Sequence, residues 1–136
     1  MALLLALALS AALVPPREGV EVFQETIFGE ISHHDRLNSG ALAVRWYRAA
    51  GGDRSRLHVA DFKCDEPLGR RTCQFALIRD GGPVELRGRV VPERLSCSAR
   101  FRRAAHPASG YVWIIERTMR LPRGSHTGTT LRCDPA

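Results

Sequence analysis

Four cysteines, Cys64, Cys73, Cys97 and Cys133, follow an uncharged apolar stretch at residues 1–14, MALLLALALSAALV. No other feature narrows the possible folds so far. Cysteines of a small exported chain pair into disulfides, and four of them allow three connectivities. The favoured set is Cys64–Cys73 with Cys97–Cys133. Cys64 and Cys73 bound CDEPLGRRTC, a Pro- and Gly-containing turn between two apolar runs, so a bridge there closes the base of a hairpin loop. The second bridge then ties the C-terminal tail to the body. Each is expected to stabilise by about 2–4 kcal/mol. A zinc site is the weaker reading, because the chain has no C-x-x-C pair and no His at finger spacing.

Residues 1–14 are too short to span a bilayer, which takes about 20 apolar residues. They match the apolar region of a secretory signal, and the small residues Ser10, Ala11 and Ala12 place cleavage near Ala12. No Lys or Arg precedes the run, so the α-amine alone supplies positive charge. Pro15–Pro16 cannot continue a helix and argues against a buried N-terminal one. The expected organisation is a signal peptide over 1–14 and one exported domain over 15–136. A hydrophobic fraction of 44% excludes a wholly disordered chain, and 25% charged residues exclude a polytopic membrane protein. Arg outnumbers Lys 19 to 1, which fits a G+C-rich coding sequence and hence a bacterial periplasm. The expected localisation is periplasmic or secreted, with no span after cleavage.

Downstream of Pro16, short apolar-polar alternations are separated by turn signals. VEVFQ at 20–24, LAVRWY at 42–47, LHVADFKC at 57–64, CQFALIR at 73–79, VELRGRVV at 84–91 and LSCSARF at 95–101 read as strands. In LSCSARF, Leu95, Cys97, Ala99 and Phe101 fall on one face. In LHVADFKC, Leu57 and Val59 are out of phase with Phe62 and Cys64, which suggests a bulge or a strand buried on both faces. YVWIIERTMRL at 111–121 is expected to start as a central strand, and 122–136 to be a loop held by Cys133. Helical periodicity is scarce; 28–38 is read as a turn, and 101–105 as a possible short helix. The fold class is therefore all-β, a small antiparallel sandwich or barrel of about seven strands stapled by two disulfides.

Charge is uneven along the chain. Residues 17–44 hold two basic and five acidic side chains, whereas 67–103 hold nine basic and three acidic, so one half is basic. Arg70, Arg71, Arg87, Arg89, Arg100 and Arg102, with Arg94 and Arg103 beside them, are the candidate anion-binding surface. Guanidinium groups hold carboxylate or phosphate through paired hydrogen bonds. No aromatic residues interleave with them as a nucleic-acid stacking platform requires, so nucleic acid is not an expected partner. Trp46 and Trp113 are expected in the core, and Tyr47 and Tyr111 at the surface.

Nothing else rises to a catalytic motif. His33-His34-Asp35 offers three ligand types in a row, but neighbours on regular structure point apart, so a metal-dependent enzyme is the least favoured reading. There is no G-x-S-x-G elbow, and Gly124-Ser125-His126 sits in the tail. Paired cysteines leave no thiolate nucleophile. Asp65-Glu66 is expected to meet Arg70 or Arg71 across the loop. The resulting expectation is a non-enzymatic exported domain, without cofactor, working by surface recognition. Its partner would be an envelope or extracellular protein, or an anionic polymer held by the arginines. The loop Asp65–Thr72, braced by a disulfide, is the candidate epitope, since a braced loop loses less entropy on binding.

Overall fold

The computed structural model of the chain describes residues 19–65, 70–108, 110–120 and 127–136; the expected signal peptide lies outside them. Two helices come first, α1 (Val20–Arg36) and α2 (Leu42–Arg48), then a short 3-10 turn at Arg54–Arg56. The strands are β1 (Leu57–Cys64), β2 (Arg70–Arg79), β3 (Val84–Leu86), β4 (Arg89–Val91), β5 (Arg94–His106), β6 (Gly110–Ile115), β7 (Arg117–Arg120), β8 (Thr127–Thr129) and β9 (Arg132–Pro135). The protein is mostly strand, antiparallel, with a curled sheet and both expected disulfides.

Alternation builds the sheet. Along β5, Leu95, Cys97, Ala99 and Phe101 are buried while Ser96, Arg100 and Arg102 are exposed. Strand β2 pairs with one side of β5, and β9 and β6 share the other, along Leu95–Ser98 and Phe101–His106 respectively. Strand β1 pairs with β2, and the register shifts between Ala60 and Lys63, where Asp61 takes a positive φ of 53°. This bulge resets the phase, so Leu57 before it and Phe62 and Cys64 after it all face inward. Both disulfides join directly opposed residues, Cys64 with Cys73 and Cys97 with Cys133. Two disulfides fit an oxidising compartment. Among the described residues no helix is long and apolar enough to cross a membrane.

The inner face of the sheet is covered by helices where strands were expected. Residues 20–24 belong to α1, whose buried side chains Phe23, Ile27, Phe28 and Ile31 repeat at helical spacing over two turns, while Val22 stays exposed. A strand through VEVFQ would have set Phe23 apart from Val20 and Val22. Phe23 instead centres an aromatic cluster, 4.8 Å from Phe62, 5.3 Å from Phe101 and 5.5 Å from Trp113. Residues 42–47 form α2, which buries Ala43, Val44 and Trp46. The Trp46 ring stacks 6.3 Å from Phe28, and its Nε1 donates to the Glu93 carbonyl at 3.0 Å.

Other boundaries also differ from expectation. Residues 28–38 are largely the second half of α1, and 101–105 continue β5 rather than form a helix. VELRGRVV is a hairpin, β3 and β4, turning at Arg87-Gly88 with φ of 51° and 77°. Strand β6 pairs only with β5 among the described strands and lies at the sheet edge, not its centre. Within 122–136, the stretches 127–129 and 132–135 are strands, and Cys133 lies in β9. Among the described residues there are nine strands against the expected seven: two expected strands are helices, VELRGRVV and the run from 111 each divide in two, and the tail adds β8 and β9.

One buried cation locks this arrangement. Arg79 ends β2 and is 1% exposed. Its Nη1 donates to the carbonyls of Trp46 at 3.2 Å and Pro92 at 3.3 Å, and its Nη2 to those of Gly82 and Val91, both at 3.2 Å. The guanidinium thus ties α2, the turn after β2 and the hairpin β3–β4 together.

Candidate functional site

The candidate arginines separate into two clusters. Arg100 and Arg102 are exposed because Ala99 and Phe101, on the alternate positions of β5, point inward. Register then places Arg70 of β2 directly opposite Arg102, and Thr72 opposite Arg100. Neighbouring strands lie about 4.8 Å apart and residues i and i+2 about 6.6 Å apart, so three guanidinium-bearing positions share one small area of sheet face.

A single carboxylate serves two of them. Glu116, between β6 and β7, is 11% exposed, and its oxygens lie 2.9 Å from Arg70 Nε and 3.4 Å from Arg100 Nε. The nearer contact is an ion pair not aligned as a hydrogen bond. Arg102 has no ion-pair partner among the described residues. Like charges directly opposed across strands are destabilising, so the array is maintained against its own repulsion.

Between α1 and the β6–β7 edge runs an open groove of about 670 Å³, walled by Thr26, Glu30, Arg70, Arg102, Glu116 and Arg117. The Thr26 hydroxyl donates to the Trp113 carbonyl at 2.9 Å, fixing the helix to the edge strand. Glu30, 8% exposed, accepts from His34 Nε2 at 2.8 Å and lies 3.6 Å from Arg117 Nε. Partial burial, and after it the charges of Arg117 and His34, hold the His33 imidazole below its ordinary pKa. Arg71 and Arg103 stack over the buried Trp113 ring at 4.9 and 5.2 Å, and Arg103 also over Tyr111 at 4.4 Å.

Arg87 and Arg89 sit elsewhere, on the β3–β4 hairpin, facing Arg45 and Arg48 of α2 across a separate cleft. Arg94 pairs with Asp61 at 2.8 Å. Glu30, Glu116 and Arg117 in the groove, and Arg45 and Arg48 in the cleft, were not candidates from the sequence. Nothing local singles them out, Glu30 being one of five acidic residues in 17–44, and only the packing of the helices on the sheet and the register of β5 bring them to these places.

The His33-His34-Asp35 segment lies in the last turns of α1 and fans out, His34 to Glu30 and Asp35 to Arg48 of α2. Among the described residues no group of three His, Cys, Asp or Glu is gathered as a metal site. His58 instead meets Asp80 at 2.9 Å, and His126, like Gly124 and Ser125, lies outside the described residues. Asp65 meets no arginine among the described residues; its Oδ1 accepts from the Thr72 amide at 2.6 Å and closes the hairpin end, while Glu66, the other half of that expectation, lies outside them. Residues 66–69 of the candidate epitope loop lie outside the described residues. Trp46 and Trp113 are in the core as expected, Tyr47 is half-buried, and Tyr111 is 37% exposed.

No family model matches the chain, and neither a curated protein nor a solved structure matches it.

Proposed function

We propose that the protein is an exported, non-enzymatic recognition domain, periplasmic or secreted, whose contact surface is the arginine face of Arg70, Arg100 and Arg102. The partner is a surface with repeated anionic groups, either an anionic polymer or an acidic envelope or extracellular protein. The observation that carries this reading is the placement of Arg70 opposite Arg102, two like charges on exposed sheet positions with one carboxylate shared nearby. Such a face is open and extended, and its spacing suits several anions in a row better than one enclosed ion. The Cys64–Cys73 bridge lies at the same end of β2 and holds the strand that presents Arg70.

The test is binding of a heparin oligosaccharide across a salt series. With Arg70→Ser and Arg102→Ser combined, affinity falls about tenfold or more and the salt slope shallows by about two ions. Arg36→Ser combined with Arg54→Ser, which removes two cations outside both arginine clusters, leaves both nearly unchanged. Equal losses in the two double variants would reduce the effect to net charge and defeat the proposal.

A further inference from the structure

The second cluster has the opposite shape. A cleft of about 510 Å³ opens between the α1–α2 connection, helix α2 and the β3–β4 hairpin. Its wall carries Arg45, Arg48, Arg87 and Arg89, together with Asn38 and Ser39, and it includes no carboxylate. The nearest compensation is Asp35, which accepts from Arg48 Nε, while Arg48 Nη2 donates to the Asp35 carbonyl at 3.2 Å. Four guanidiniums against one carboxylate leave a surplus of positive charge inside a concavity, where fields are focused rather than spread.

Two further features set this cleft apart from a merely basic surface. Arg45 Nε is shielded from solvent and has no hydrogen-bond partner among the described residues, a state it shares with Arg79 Nε and Trp113 Nε1, but of the three it alone belongs to a residue of this cleft. Buried donors are nearly always paired, and one that is not calls for an explanation. Arg87 takes φ of 51° at the hairpin tip, a conformation that bulky residues rarely adopt and that turns of this kind give to Asn or Gly. Strain of this sort is held where a side chain has to be presented in one direction. The half-buried Leu86 adds apolar surface to the wall, over the buried Val91.

We propose that this cleft binds a phosphate monoester, with Arg45, Arg87 and Arg89 as its guanidinium donors and the half-buried Leu86 against the ester's apolar group. A phosphate monoester carries nearly two negative charges at neutral pH, which offsets the surplus better than a single carboxylate. It also offers three acceptor oxygens to donors on two elements, and guanidinium pairs suit that geometry. The site is independent of the arginine face on the sheet, which takes an extended partner.

The experiment is titration of the disulfide-intact protein with inorganic phosphate and with hexyl phosphate, read by calorimetry and by the Arg45 Nε–H resonance. Saturable binding that shifts this resonance is expected. Arg45→Lys and, separately, the exposed-hairpin variant Arg87→Ser should each weaken it about tenfold, the effect of losing one charge-assisted bond. The Arg70→Ser, Arg102→Ser double variant should bind phosphate as the parent does. Tighter binding of hexyl phosphate supports the site with the apolar wall in use, whereas equal affinity for the two probes would overturn the assignment to a monoester. Absence of saturable binding into the millimolar range, or binding unaffected by both cleft variants, would overturn the proposal. Because hairpin variants keep the helix intact, a folding defect in Arg45→Lys does not remove the test.

Discussion

Strand β2 carries arginine at both ends, and the two ends use it in opposite ways. At the start, Arg70 is 76% exposed, stands opposite Arg102 and shares Glu116 with Arg100. At the finish, Arg79 is buried and its guanidinium donates to four backbone carbonyls from three segments. A buried charge is tolerated when most of its donors are paired, and here four carbonyls take the Nη donors in place of a carboxylate, while Nε has no partner among the described residues. Burial lowers the Arg79 pKa, with Arg56 adding to the effect, yet arginine remains charged throughout the ordinary range. The comparison separates two roles that composition merges: one arginine holds the chain together, and the others project a field.

The sharpest way to break that contrast is to remove an arginine from each end. Arg79→Leu leaves four carbonyls short of a donor and should lower unfolding stability by about 4–5 kcal/mol, read from urea denaturation. Arg79→Lys should recover only part of this, because an ammonium cannot span four acceptors in a planar fork. Arg102→Ser should stay within about 0.5 kcal/mol of the parent, since it removes no buried contact and relieves a like-charge pair. Comparable losses at the two ends would show that the exposed arginines also support the fold.

The disulfides offer the next largest effect and divide along the same line. Cys97–Cys133 closes 36 residues, and Cys64–Cys73 closes 9 at the exposed-arginine end of β2. Loop-closure entropy gives about 4 kcal/mol for the longer and about 2.5 kcal/mol for the shorter when each pair is replaced by Ser. Thermal or denaturant unfolding of the two double variants checks the ranking. If the shorter bridge matched the longer, it would be holding the charged end against repulsion beyond what chain entropy supplies.

Much of the fold is legible in the sequence where one local rule acts alone. Period-two burial in Leu95, Cys97, Ala99 and Phe101 predicts β5, and the broken phase in LHVADFKC allows a bulge or a doubly buried strand, of which the structure shows the bulge, at Asp61. The cysteine spacing predicts both bridges because each pair flanks a turn or ties down the tail. The helices are less legible. VEVFQ and LAVRWY have β-branched and aromatic alternation, and the chain becomes helical because packing onto the sheet rewards a different subset, Phe23, Ile27 and Ile31 in α1 and Val44 and Trp46 in α2. The 3.6-residue stripe from Phe23 to Ile31 is present in the sequence, but only over a window longer than the five residues that read as a strand. The arginine clusters follow the same logic. Arg100 and Arg102 are visible as alternate outward positions, whereas the meeting of Arg45 with Arg87, or of Arg70 with Glu116, depends on contacts between distant segments. Arg79 is invisible as a keystone, because nothing local marks which arginine will be surrounded by carbonyls.

The smallest expected effect probes the field at the exposed end directly. His33 faces Arg117, His34 and Arg36, with Glu30 opposing them, and partial burial is the largest cause of its lowered pKa. In the unfolded chain this imidazole titrates near 6.5. Just below that pH the unfolded state binds more protons than the folded one, so stability rises with pH across the window and declines on acidification from neutrality. His33→Asn should flatten that part of the stability profile. Arg117→Gln should raise the His33 pKa seen by NMR titration, because it removes the nearest repulsive charge while leaving the burial in place. A His33 pKa indifferent to Arg117 would mean that burial and the charges on α1 set it, and that the groove's Arg117 is too well screened to act on a neighbour. Since an anionic partner would have to feel the same cations through the same solvent, that result would also weaken the case for the arginine face as a recognition surface.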